Sequence, residues 1–495
     1  MQAEPESPNP AAGDSGFPIV GIGASAGGLE ALDEFLEHMP ADSGIAFVVV
    51  THQHPGHTSL LPELLGRETT MAVSVAEEAT RLEPNHIYIA PPGCQLAILN
   101  GTLHRMDGYE QAAPKFPVDY FFRSLAEDQQ ERAFCIVLSG NGTDGTLGMQ
   151  AIKEGSGMAI VQQPRSAKYA GMPSSAEGTG LVDYVLPPAE MPQHLIAYTK
   201  NLSKLKIRTV AEPSVELTEP IQKIFLLLRH RTGHDFSGYK SNTIKRRIAR
   251  RMNLHQIDDV ENYLLYLNSH EEEVDALFDE LLISVTSFFR DPDSWEALAS
   301  GPLMQMLQSR PEDTAIRAWV PGCATGEEVY TLAIVLRECL AKCQRHLEVQ
   351  IFGTDLDGRA IDVARRGTYP CGIASDVSPE RLEKYFAKED SSYRICREIR
   401  EMAVFALQNV IRDPPFTKLD ILSCRNLLIY LDSDLQKQLL PIFHYALKPG
   451  GLLFLGPSET IGGSGDLFET VDREWKIFRC EESAIAVQPV PQTPI

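Results

Sequence analysis

The chain has 495 residues, 43% of them apolar, and a formal charge of −22. That length can bury more than one core and predicts two to four domains, while the acidic balance excludes a general binder of nucleic acid or of anionic membranes. Nine cysteines without paired C-x-x-C spacing exclude a small disulfide scaffold and point to a reducing compartment, the cytoplasm. No apolar run reaches the roughly 18 residues of a membrane span, so direct membrane insertion is not expected.

Residues 1–16 are rich in Pro, Ala, Glu and Ser and lack Lys and Arg, which predicts a disordered tail rather than a signal peptide. Residues 17–22 predict a short buried strand that breaks into Gly23-Ala24-Ser25-Ala26-Gly27-Gly28 before a helix starting near Leu29. The segment imitates a G-x-G-x-x-A dinucleotide fingerprint. The next strand, 45–50, ends in Thr51-His52-Gln53-His54, however, and offers no acid for a ribose. An acyl-transfer reading gives the same residues roles: Ser25 as nucleophile at a helix N-terminus and His52 as its base from the adjacent strand end. Asp144, in the glycine-rich loop 139–145 after the buried strand 133–138, is the orienting acid.

A closing helix over 191–204 leads to a linker at 205–220, then to helices over 221–231, 243–252, 260–267 and 272–282. In the second of these, Ile244, Ile248 and Met252 form one apolar stripe, and Lys245, Arg246, Arg247, Arg250 and Arg251 lie largely outside it. No acid interrupts residues 238–253, so the expectation is a cationic, solvent-facing helix on which Arg247 and Arg251 dock an acidic helical substrate. The rival reading is internal ion pairing with neighbouring helices.

Residues 316–331 pass from an apolar strand through a tight loop into a helix. Gly322 and Gly326 allow close approach and positive φ, Thr325 can cap the helix, and Glu327 and Glu328 occupy its first turn. Two acids there would repel a pyrophosphate and suit a cationic nucleoside such as S-adenosylmethionine. The following strand, 349–353, ends in Thr354-Asp355-Leu356-Asp357, which makes Asp355 the natural ribose acceptor.

Gly23-Ala-Ser25-Ala-Gly-Gly, the His52 turn, residues 84–92 and Ser139-Gly-Asn-Gly-Thr-Asp144-Gly closely resemble the chemotaxis-receptor methylesterase family CheB over about 17–198. The resemblance implies a Ser25, His52, Asp144 triad. Asn141 stands where that family usually carries a methionine, and the receiver domain that normally precedes the esterase is not expected ahead of residue 17. Residues 285–291, 408–411 and 420–430, with Gly450-Gly451 and Leu455-Gly456-Pro-Ser-Glu459, resemble the chemotaxis-receptor methyltransferase family CheR over about 219–479. That resemblance implies that Thr286, Arg290, Glu328, Asp355, Asn409, Val410, Arg425 and Asn426 line the S-adenosylmethionine site, with Tyr430 and Arg290 beside the transferred methyl. It also implies a small β-subdomain within 368–399, which in some members grips a receptor tail peptide.

Together these features predict two doubly wound α/β domains with largely parallel sheets, an esterase and then a Rossmann-like methyltransferase, with a small helical subdomain before the second. The expected limits are a disordered tail at 1–16, the esterase at 17–204, the linker at 205–220, the helical subdomain at 221–300, the S-adenosylmethionine-binding domain at 301–480 and a disordered tail at 481–495. The predicted activity is methylation of glutamates on a chemoreceptor or similar acidic helical signalling protein and hydrolysis of the resulting methyl esters, with glutamine deamidation as a further reaction of the esterase. Neither reaction calls for a metal ion. The rival readings are a scaffold with an inactive site and methylation of nucleic acid or a small molecule; the acidic charge opposes nucleic acid.

Overall fold

A computed structural model describes residues 16–53, 59–106, 116–211, 219–283, 285–312 and 314–482, without the side chains of 203–211. The tails expected at 1–16 and 481–495 lie outside it except for Gly16, Glu481 and Glu482. The chain divides near residue 213 into two compact units, each built on its own sheet.

The sheet of the first unit is formed by β1 (Ile19–Ala24), β2 (Ala46–Thr51), β3 (Ala72–Val75), β4 (His86–Ile89), β5 (Ala133–Val137), β6 (Met158–Gln162) and β7 (Tyr184–Leu186). Its order is β7-β6-β5-β1-β2-β4-β3, and every pairing is parallel. Parallel strands covered on both faces need continuous apolar runs. The sequences Ile-Val-Gly-Ile-Gly-Ala of β1 and Ala-Phe-Cys-Ile-Val of β5 meet that need and are wholly buried. Helices α1 (Gly28–Glu37), α2 (Pro117–Gln129), α3 (Thr146–Glu154), α4 (Gly171–Glu177) and α5 (Met191–Ala211) accompany the sheet. Ile19 packs into one apolar cluster and Val20 and Ile22 into another, as the period-two alternation of a strand requires. A Cβ at Gly23 would stand 2.3 Å from Val118, so that glycine lets α2 press directly on the central strand. Helix α5 runs past the expected end at 204 to Ala211. The linker expected at 205–220 is thus helical over 205–211, where Leu, Lys, Ile and Arg sustain the helix, and its residues 212–218 lie outside the described residues.

The second unit opens with α6 (Glu219–Thr232), α7 (Ser241–Leu254), α8 (Val260–Ser269) and α9 (Glu271–Leu282). Of the five cations expected on a solvent-facing side of α7, Arg246 is exposed and Lys245 half-buried, whereas Arg247, Arg250 and Arg251 turn inward. Arg247 is 1% exposed and donates to the backbone carbonyls of Glu280 (2.6 Å) and Ile283 (3.2 Å). Arg250 bonds the Glu280 carboxylate at 2.5 Å, and Arg251 makes a two-pronged pair with Glu273, which also accepts the Tyr263 hydroxyl at 2.7 Å. Arg247 and Arg251 therefore tie α7 to α9 and are not offered to a substrate.

After the short helix α10 (Pro292–Leu298), the second sheet is built from β8 (Ile316–Pro321), β9 (Val349–Asp355), β10 (Ala403–Leu407), β11 (Leu419–Cys424), β12 (Leu447–Leu455), β13 (Phe468–Asp472) and β14 (Ile477–Cys480). Its order is β10-β9-β8-β11-β12-β14-β13, parallel through the first five strands and closed by an antiparallel pair. Helices α11 (Glu327–Lys342), α12 (Gly358–Arg366) and α13 (Ser433–Ala446) complete the unit. Strands 386–389 and 392–395 pair as an antiparallel hairpin within the expected β-subdomain. Among the described residues no helix is long and apolar enough to cross a membrane.

Candidate active sites

In each sheet the chain leaves the first strand in one direction and later returns on its other side, which opens a crevice at the strand C-termini. In the first unit that strand is β1, flanked by β2 and β5. The β1–β2 register ends with Ala24 opposite Thr51. Ser25 and His52 are thus the next residues out of the sheet on neighbouring strands, which run roughly 5 Å apart. The Ser25 amide donates to the Ser139 carbonyl at 2.9 Å, and its own carbonyl accepts the Gly28 amide at 2.9 Å, tying the loop across to the end of β5.

The His52 ring places Nε2 3.0 Å from Oδ2 of Asp144, whose side chain is 3% exposed. Asp144 also accepts the amides of Val118 (3.1 Å), Asp119 (2.9 Å) and Gly145 (2.9 Å). Two of those donors belong to the first turn of α2, where the helix dipole favours an anion. The carboxylate is held by backbone donors, directs the Nε2 proton of His52 to itself and leaves Nδ1 as the basic nitrogen.

Close backbone approach makes the pocket. A Cβ on Gly140 would lie 2.1 Å from the Met172 sulfur and 2.9 Å from the Ser25 Cβ, so the glycine turn presses against the serine loop. Two side chains fix this turn: Ser139, quoted in the sequence only as part of the glycine-loop motif, and Gln162, which sequence reasoning missed. Ser139, fully buried, donates its hydroxyl to the Ala26 carbonyl at 2.9 Å and accepts the Tyr169 amide at 3.0 Å; Gln162 accepts the Ser139 amide at 2.8 Å. A Gln at a strand end carries no sequence signal for this.

In the second unit the crevice opens at β8, between β9 and β11. A cleft of about 750 Å³ is lined by Gly322, Asp355, Gln408, Asn409, Val410, Asn426 and Tyr430, with Tyr239 and the 281–283 segment closing one side. Five of the expected site residues, Asp355, Asn409, Val410, Asn426 and Tyr430, thus meet there. Gly322 and Gly326 take positive φ of 69° and 92°, as the tight loop requires. The Asp355 carboxylate accepts the amides of Ala324 (2.7 Å) and Asp357 (3.0 Å); burial still pushes its pKa above the ordinary carboxylate range.

Thr286, Arg290, Glu328 and Arg425 are not among the residues lining this cleft. Arg425 is 5% exposed, lies over the rings of Trp295 and Phe454, and donates to the Arg290 carbonyl, Asp291 and Ser294 at 2.8–3.0 Å. It therefore pins the turn that carries Arg290, in which Phe289 and Asp291 hold strained φ of 50° and 55°. Glu328 accepts the Ser423 hydroxyl at 2.6 Å, and burial pushes it up to about 7 against the pull of Arg425. Thr325 does not cap α11: Gly326 is the N-cap, and the Thr325 hydroxyl donates to the Glu327 carboxylate at 2.6 Å. Burial likewise pushes Glu327 up to about 7.

Glu459 is a further buried acid, quoted in the sequence only as part of a motif. It accepts the amides of Asn426 (3.0 Å), Leu428 (2.7 Å) and Gly456 (2.6 Å) and so holds Asn426 in its left-handed conformation, φ 60°. Among the described residues no group of histidine, cysteine or acidic side chains is placed to hold a metal ion.

Comparison with known proteins divides the chain in the same way. The family model for CheB methylesterase matches residues 20–195, that for the all-alpha domain of CheR methyltransferase matches 219–282, and that for the CheR S-adenosylmethionine-binding domain matches 284–477. An uncharacterised 104.1 kDa protein of Rhodobacter capsulatus is 35% identical over 85% of this chain, which spans 46% of that protein. Chemotaxis protein methyltransferase 2 of Vibrio cholerae is 30% identical over 48% of this chain and 84% of its own length. A protein-glutamate methylesterase/protein-glutamine glutaminase of Rhizobium meliloti is 34% identical over 38% of this chain and 53% of its own length.

Proposed function

Because the chain belongs to the CheR methyltransferase family and carries a CheB methylesterase domain ahead of it, we propose a bifunctional enzyme that methylates glutamates of a chemoreceptor or similar acidic helical protein and hydrolyses the resulting esters. The observation that carries this reading is the presence, on one chain, of two separate strand-end sites: the His52–Asp144 pair beside Ser25, and the Asp355 cleft. The proposed working limits are 17–204 for the esterase, 221–300 for the helical subdomain and 301–480 for the cofactor domain. Nine free thiols suit a reducing compartment such as the cytoplasm.

In the esterase, Ser25 attacks the ester carbonyl as His52 takes its proton through Nδ1, and His52 returns that proton to methanol. Water then releases the acyl-enzyme by the same route. Asp144 holds the imidazole tautomer throughout. The amides of Gly28, Ser139 and Gly140 are already bonded within the protein, so amides further into the first turn of α1 and at 141–142 hold the oxyanion, a contribution of roughly 2.7–4 kcal/mol per donor. A glutamine amide fits the same chemistry, which makes deamidation a further reaction of this site.

The second cleft suits an adenosyl sulfonium. Asp355 meets the ribose, Val410 and Asn409 border the base, and Gln408 keeps a buried Oε1 without a partner among the described residues, ready to accept a donor. Asn426 lines the cleft at the cationic end, and Glu327 and Glu328, which do not line it, add negative potential from the first turn of α11. When bound, S-adenosylmethionine supplies the methyl group. A glutamate carboxylate is already ionised at neutral pH and needs no base, so the task of the chain is placement: Arg290 steers the carboxylate and Tyr430 shapes the methyl pocket, with Thr286 beside the cofactor and Arg425 ordering the Arg290 turn. Proximity and orientation of this kind are worth roughly 7–11 kcal/mol.

Incubation of the chain with methyl-labelled S-adenosylmethionine and receptor fragments, scoring protein-bound label and released methanol, tests the reading. Label without methanol release, or neither, would remove the bifunctional assignment.

A further inference from the structure

Behind the second cleft lies a buried side chain with no role in the chemistry above. His234, 3% exposed, follows α6 and sits within an aromatic cage of Phe236, Tyr239 and Phe278, with ring centroids 4.6–6.5 Å away. Its Nδ1 lies 3.1 Å from Asn409 Nδ2, and its Nε2 lies 3.1 Å from the Tyr239 hydroxyl. Asn409 and Tyr239 both line the cleft, one from the loop after β10 and the other from the turn between α6 and α7.

We propose that His234 is a positioning residue for cofactor binding: one neutral imidazole fastens Asn409 and Tyr239 together and so joins the helical region to the cofactor cleft. The amide of Ile411 donates to Asn409 Oδ1 at 3.0 Å, which turns the Asn409 NH₂ towards the histidine and requires Nδ1 to accept. A neutral ring then carries its proton on Nε2 and donates it to Tyr239. The phenol proton is thereby left for a partner on the cleft side, where the charge of Asp355 acts on Tyr239. Burial, aided by Arg412 and opposed by Asp235, pulls the ring down to about 4, so this single tautomer persists at neutral pH.

The inference rests on the cleft being the S-adenosylmethionine site. Titration calorimetry of the full chain with S-adenosylhomocysteine tests it, beside steady-state kinetics and nitrogen NMR of the unliganded protein. The histidine spectrum should show an unprotonated Nδ1. His234→Phe removes both bonds and should raise the ligand Kd about tenfold or more, while kcat at saturating S-adenosylmethionine stays within about twofold. His234→Asn keeps an acceptor for Asn409 and should recover part of the affinity. A double change of His234→Phe with Asn409→Ala should cost less than the sum of the single changes. Wild-type affinity in folded His234→Phe, or additive losses, would overturn the proposal while leaving the cofactor reading intact. Failure of the wild type to bind would instead sink the cofactor reading, and the inference with it.

Discussion

The two halves share one local design, a strand that breaks through a glycine loop into a helix, yet they treat their buried acids in opposite ways. Asp144 in the esterase is surrounded by three backbone amides and an imidazole, so its charge is balanced by the fold itself. In the methyltransferase Glu327, with one hydroxyl and a backbone amide, and Glu328, with one hydroxyl and the nearby Arg425, are nevertheless so desolvated that their pKa values rise to about 7. Glu280 represents a third solution, an acid neutralised by Arg250 from a neighbouring helix. An acid that must stay fixed through a reaction cycle is satisfied internally. A buried acid left short of donors costs stability in the unliganded protein.

The largest effects should fall on the internally satisfied site. Ser25→Ala should lower methanol release on the order of 10⁵- to 10⁶-fold, and Asp144→Asn by roughly 10³- to 10⁴-fold, because the amide would favour the wrong imidazole tautomer. Both variants should transfer methyl groups at the wild-type rate. Loss of transfer in a folded Ser25→Ala protein would break the separation of the two sites. Next in size, Glu280→Gln should destabilise the second unit by about 3 kcal/mol by leaving buried guanidinium groups short of a carboxylate, read as a lower melting transition with methanol release unchanged. An unaltered transition would mean that α7 is not held by this pair. Asp355→Ala should weaken S-adenosylmethionine binding roughly ten- to hundredfold through loss of charged hydrogen bonds, measured by calorimetry; an unchanged Kd would place the ribose elsewhere.

What could be read in advance was whatever depends on periodicity and on strand ends. The apolar runs of β1, β2, β5, β8 and β9 are legible because parallel strands buried on both faces tolerate little else. Ser25, His52 and Asp355 stood out because each sits at the end of such a run, and Asp144 because it lies in the glycine-rich loop that follows one. Arg247 and Arg251 were misjudged for a physical reason. They lie three residues after Ile244 and Ile248, beside the apolar stripe rather than opposite it, and their long stems run into the core. Their partners, Glu273 and the carbonyls of Glu280 and Ile283, come 22 to 36 residues later, outside any count of local charge. Arg425 carried a strong motif signal, but its bracing of the Arg290 turn runs through contacts 131 to 135 residues away, which the motif does not show. Ser139, Gln162 and the His234–Asn409 contact join residues 23 to 175 apart, which no spacing announces.

The smallest expected effect is the one that most sharpens the contrast between the halves. Glu327 and Glu328 hold their protons more tightly folded, with pKa values near 7, than unfolded, where the ordinary value is 4.5. Their contribution to stability is therefore fully present below about pH 4.5 and is lost as pH rises through 7. S-adenosylmethionine is a cation, and its binding restores a counter-charge to the ionised acids, so its affinity should change in the opposite direction and strengthen as pH rises through 7. If one ionised carboxylate is needed, the Kd should fall up to about tenfold between pH 6 and pH 8. Over the same range the unliganded second unit should melt at progressively lower temperature, and the shift produced by S-adenosylmethionine should grow. Glu328→Gln should flatten the pH dependence of binding while keeping the Ser423 contact through its amide oxygen. A Kd that is flat from pH 6 to 8 in the wild type would show that these acids do not recognise the cofactor charge, and that their burial serves only the packing of α11.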